Sequence, residues 1–68
     1  MSEREFVLRD EKGDRDTILL ITPDTWTLKV VQDYISGSDY SVYEFSYWAT
    51  KMVNDNTLIM TIEDWENR

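Results

Sequence analysis

The chain has 68 residues and a formal net charge of −7, with 14 acidic residues against 7 basic ones and neither histidine nor cysteine. That length makes one small domain, residues 1–68, which hides a smaller fraction of its surface than a larger domain would. The composition excludes disulfides, thiol and imidazole catalysis and Cys/His zinc sites, so stability falls to a packed core or to a partner.

The first residues show no apolar run behind a basic start, so no secretory signal is expected. No stretch nears the roughly 20 apolar residues of a membrane span. A cysteine-free chain of this kind is expected in the cytoplasm.

The segment EFVLRDEKGDRDTILLI, residues 5–21, predicts a β-hairpin. Phe6 and Leu8 alternate with Glu5, Val7 and Arg9, the period of a half-buried strand. Gly13 offers positive φ amid polar neighbours. With Lys12 and Gly13 as the turn, Arg9 faces Asp16 and Asp10 faces Arg15, opposite charges that help to set the register.

TPDTWTLKVVQDYISG, residues 22–37, predicts a helix over 23–36. Thr22 is the N-cap, Pro23 takes the first position and Asp24 complements the dipole. Leu28, Val31 and Ile35 share a stripe, with Val30 and Tyr34 beside it, and Gly37 supplies the left-handed cap. A strand reading, with Trp26, Leu28 and Val30 alternating, fails at VVQDYI, where Val30 and Val31 fall on opposite faces. A two-residue Pro-Asp hairpin also needs a type I turn, which splays the strands.

From Tyr40 to Val53 alternation returns, with Tyr43, Phe45, Tyr47 and Ala49 interleaved with Glu44, Ser46, Trp48 and Thr50. NDNT supplies a turn, and Leu58, Met60 and Ile62 alternate with Ile59, Thr61 and Glu63 in a final strand. A second hairpin then sets Val53 opposite Leu58, Met52 opposite Ile59 and Ala49 opposite Ile62. A helix over Val42–Met52 is the rival, but its load of Tyr, Phe, Trp and Thr favours a strand.

The expected fold is α+β in a ββαββ layout: a four-stranded, mainly antiparallel sheet with one helix packed on one face. An all-β five-stranded meander or small barrel is the alternative. The order hairpin, helix, hairpin, with ITPDTW opening the helix, resembles the small β-grasp folds such as ubiquitin-like and protein G-like domains. The likeness is of element order, and it transfers no functional residues.

The inventory for chemistry is poor, so no enzyme, cofactor or metal site is expected. No spacing selects a catalytic carboxylate pair. GDRD (residues 13–16) lacks the calcium-loop pattern, NDN (residues 54–56) is a turn signal, and no glycine-rich phosphate loop exists. Between Tyr34 and Glu66 lie six acids and a single base, Lys51. Such a surface repels nucleic acid and anionic membranes, so Tyr43, Tyr47 and Trp48 are not expected to stack on bases directly.

The same surface attracts a basic protein. In a two-layer fold the far side of the sheet is open, and the expected register places Trp48, Met52, Ile59 and Trp65 there. Glu44, Glu63, Asp64 and Glu66 stand around them. Trp is enriched at binding hot spots, and a contiguous exposed apolar patch marks interaction sites. The expectation is therefore a partner-binding face selecting a basic protein. By size and charge the chain resembles nuclease-immunity proteins and phage-encoded inhibitors, some of which mimic nucleic acid. Closure of the sheet into a barrel, or a homodimer stacking the open faces, accounts for the same residues structurally.

Overall fold

The computed structural model describes residues 2–48 and 56–68. Strands β1 (Glu3–Asp10) and β2 (Thr17–Pro23) form the expected antiparallel hairpin, with Phe6 opposite Leu20 and Leu8 opposite Ile18. Helix α1 (Leu28–Tyr34) follows, then β3 (Tyr40–Glu44), a short helix α2 (Phe45–Trp48), β4 (Thr57–Thr61) and a C-terminal helix α3 (Ile62–Glu66). The result is an α+β fold on a four-stranded sheet of order β3-β1-β2-β4. Two of its three pairings are antiparallel, β1–β2 and β1–β3, and the third, β2–β4, is parallel.

The register explains where the core lies. Phe6, Leu8, Ile18, Leu20 and Val42 share one face of the sheet and are buried with Val31 and Ile35 of α1 and Trp65 of α3. Alternate residues in the middle of β1, β2 and β3 thus meet the helices, the arrangement that a period of two beside a period of 3.6 produces. Val7 is also wholly buried, on the opposite face. On that face Trp48 of α2 packs against Tyr43, with ring centroids 4.7 Å apart, and the Arg9 guanidinium lies 4.7 Å from the Trp48 ring. The far side is therefore covered at its β1–β3 end. Along β2 and β4 it opens, with Leu19 and Ile21 half-buried and Ile59 67 % exposed.

Several local expectations are corrected. The first hairpin pairs one residue out of the expected register, with Leu8 opposite Ile18, so Arg9 does not face Asp16 across a two-residue turn. A longer loop forms because the Asp10 carboxylate gathers it, accepting hydrogen bonds from the backbone N–H groups of Lys12 (3.0 Å), Asp14 (3.2 Å) and Arg15 (3.0 Å) and from Arg15 Nε (3.1 Å). The Asp10–Arg15 attraction is kept, as part of the loop rather than of the ladder. Gly13 does take positive φ, at 75°.

The helix starts later than expected. Thr22 and Pro23 finish β2 opposite Arg4 and Glu3, and the turn that follows is closed by the Trp26 N–H donating to the Pro23 carbonyl, 3.2 Å. Thr27 is the N-cap, accepting from the Val30 N–H at 3.3 Å. Strand pairing overrides a cap preference worth about 1 kcal/mol because the buried Thr22 belongs to the sheet.

The strand expected over Tyr40–Val53 ends at Glu44, where α2 begins; residues 49–55 lie outside the described ones. The expected second hairpin, which pairs Val53, Met52 and Ala49 with β4, falls on residues outside the described ones. β3 and β4 stand at opposite edges of the sheet and run in the same direction, and parallel strands need a connection of roughly a dozen residues rather than a tight turn. Among the described elements the likeness to β-grasp domains extends over the opening hairpin and the helix that follows it. The last strand also stops short: Thr61 caps α3 in a capping box with Asp64, which turns Ile62 and Trp65 back onto the core.

Candidate functional site

The residues expected to share one binding face are separated by this topology. Trp65 is 6 % exposed and belongs to the core, because α3 carries it onto the helix-covered side of the sheet. It stacks edge-on against Tyr40 at 5.7 Å, with the Arg68 guanidinium 3.8 Å from its ring centroid. Arg15 in turn lies 4.2 Å from the Tyr40 centroid. A ladder of cation, ring, ring and cation ties the hairpin loop to the C-terminus.

Trp48 is half-buried between Tyr43 and Tyr47 on the opposite face. Ile59 is on that face too, exposed, while Met52 lies outside the described residues. Glu44 stands opposite Phe6, toward the helix-covered side, 3.4 Å from the Arg4 guanidinium. Asp64 completes the α3 cap. Glu66 flanks a shallow depression of about 520 Å³ with Tyr34 and Arg68. Burial, and then the neighbouring Glu66, push the Tyr34 phenol above its ordinary value.

What the fold assembles instead is a groove of about 770 Å³ at the end of β2 and β4. Its apolar wall is Ile21, Pro23, Trp26 and Ile62, and Glu3, Asp24 and Glu63 bring carboxylates to it. Among the described residues no Lys or Arg lines it. Each wall has a local cause. The turn after Pro23 swings Trp26 inward, where its ring meets Tyr34 edge-on at 5.2 Å. Arg4 Nη1 donates to the Trp26 carbonyl at 2.9 Å, holding that turn against β1. The capping box at Thr61 reverses the chain so that Ile62 and Glu63 face the Pro23 turn.

Of the described members of the expected set, only Glu63 lines this groove. Glu3, Asp24 and Trp26 were missed, although TPDTW carries the signal: a Pro-Asp turn can lead into a helix as readily as into a hairpin. Such a groove can receive a cationic side chain with an apolar stem, the stem along Trp26 and Ile62 and the charge among the carboxylates.

The electrostatic picture is completed by the arginines. The four arginines of the chain, Arg4, Arg9, Arg15 and Arg68, each lie over an aromatic ring of the protein itself, at 4.9, 4.7, 4.2 and 3.8 Å respectively. Lys12, Lys29, Arg15 and Arg68 are exposed, as are most carboxylates among the described residues, which outnumber them. No group of three or more His, Cys, Asp or Glu among the described residues is arranged to hold a metal ion. No helix there is long and apolar enough to cross a membrane. Comparison of the chain with protein-family models, with curated proteins and with solved structures yields no match.

Proposed function

We propose that the chain is a small acidic protein-binding module, an inhibitor or immunity-type protein that occupies a basic site on another protein, including a site that otherwise holds nucleic acid. The observation that carries this reading is the groove with an apolar wall and the carboxylates of Glu3, Asp24 and Glu63 around it, on a chain of net charge −7. Exposed charge of one sign speeds encounter with a partner of the other. An apolar wall beside it then adds the buried contact that long-range attraction alone lacks. The reading assigns no catalytic step.

The test is capture of a basic protein from the native source, compared with a triple variant E3Q, D24N and E63Q. The wild-type protein retains the partner, nucleic acid competes for it, and the variant loses it. Equal capture by both proteins overturns the proposal.

A further inference from the structure

We infer that the groove at the end of β2 and β4 takes an arginine side chain of the partner, carried on a loop beside an apolar residue. The inference rests on the acidic-module reading and names the group that reading leaves open. Separate parts of the chain meet at this groove. Glu3 comes from the start of β1, Asp24 from the turn after β2, Trp26 from the approach to α1 and Glu63 from α3. Three carboxylates thus converge on one apolar wall.

The fold leaves these carboxylates without a cation of its own. Among the described residues, none of the three has a side-chain hydrogen bond or an ion pair. Arg4 is held close by, with Nη1 donating to the Trp26 carbonyl, but its Nη2 goes to Glu44 rather than to Glu3 or Asp24. Elsewhere a carboxylate beside an arginine is engaged, as Asp10 is by Arg15.

The surroundings favour a guanidinium over an ammonium. Lysine brings one compact and strongly hydrated charge, whereas a guanidinium spreads five N–H donors in a plane, is more weakly hydrated and stacks on aromatic rings. Carboxylates on different elements beside Trp26 match the second. The molecule already contains that pairing: the Arg15 guanidinium lies 4.2 Å from the Tyr40 ring centroid while its Nε donates to Asp10 at 3.1 Å. A groove of about 770 Å³ is of the size that holds more than one side chain, and Ile21 and Pro23 are there for the apolar neighbour. A second copy fits worse, because each copy brings a net charge of −7 against the other.

The probe is the capped peptide Gly-Leu-Arg-Gly, titrated at low salt into the isotopically labelled full-length protein. The same peptide with lysine, and with citrulline, which keeps the shape of arginine without its charge, is titrated beside it. The arginine peptide is expected to shift the Trp26 indole N–H and the amides of Glu3, Asp24 and Glu63. It should bind at least about threefold tighter than the lysine peptide and about tenfold tighter than the citrulline one. D24N should weaken it about threefold. D33N, an equal charge change on α1 outside the groove, should alter it by no more than about 1.5-fold. Urea midpoints establish that both variants remain folded.

Three results overturn the inference. Arginine and lysine peptides that bind alike show a groove that does not choose a guanidinium, and the acidic-module reading stands. Equal weakening by D24N and D33N shows attraction to net charge without a site. An arginine peptide that shifts none of the groove amides places the contact elsewhere. A citrulline peptide that binds as tightly as the arginine one removes the acidic reading as well.

Discussion

Trp65 and Ile59 sit only a few residues apart in the chain, yet one is enclosed by Tyr40, Arg68 and the core while the other faces solvent. Replacing a buried Trp by Ala removes its transfer energy and leaves a cavity, costing about 3–5 kcal/mol. For a domain of this size that is about the whole stability a single core supplies. W65A is expected to be largely unfolded by circular dichroism, whereas I59A shifts the urea midpoint little, within about 0.5 kcal/mol. Asp10 makes a second prediction at this scale. The Arg15 side chain and then the Lys12 N–H hold its carboxyl down, from 3.8 to about 2. A depressed carboxyl stabilises the fold above its unfolded value and loses that contribution as pH falls through its folded value. Stability should therefore drop between about pH 4 and pH 2 in the wild-type protein, and D10N should flatten that part of a pH series of urea midpoints.

The helices are short, and their ends count for much of them. Thr27 is the oxygen that satisfies the start of α1, and Thr61 does the same for α3 in its capping box. T27A is expected to cost about 1 kcal/mol. T22A should cost at least as much for a different reason, since Thr22 is buried in the sheet and its hydroxyl donates to the Pro23 carbonyl. Amide exchange distinguishes the two: loss at Thr27 should expose the first turn of α1, and loss at Thr22 should loosen the β1–β2 ladder. The elements differ in how much of them is visible in local sequence. The hairpin and the presence of α1 follow from alternation and from the Leu28, Val31, Ile35 stripe, which are properties of neighbours along the chain. The start of α1 does not, because Thr22-Pro23 and Thr27 are both plausible caps, and pairing with Arg4 and Glu3 of a distant strand chose between them. α2 likewise begins inside a run, Tyr43 to Trp48, whose alternation alone reads as a strand.

At the scale of the whole molecule, the net charge of −7 acts through its arrangement. Raising ionic strength from about 0.01 M to about 0.15 M shortens the screening length from ~30 Å to ~8 Å. The association rate with a basic partner should fall over that range by about tenfold or more, with dissociation changing far less. Stopped-flow measurement of both rates checks this, and an association rate indifferent to salt would count against steering. The arginines refine the expectation. Because they lie over internal rings, substituting Arg9 or Arg68 by Gln should alter folding stability more than partner binding.

By itself the sequence determined the class of the fold, the first hairpin, the helix after it, the acid excess and the lack of imidazole or thiol chemistry. These follow from composition and from periods of two and 3.6, which any window of the chain displays. Tertiary structure decided the strand order, the burial of Trp65 and the groove between Pro23 and Glu63. Those depend on which distant strands pair. β1, buried on both faces at Val7 and Phe6, takes β2 and β3 as its two neighbours, and this leaves β4 to lie parallel against β2. A strand carries in its own residues the face it buries but not the partner it meets, because every strand offers the same backbone hydrogen bonds and only competition across the whole sheet distributes them.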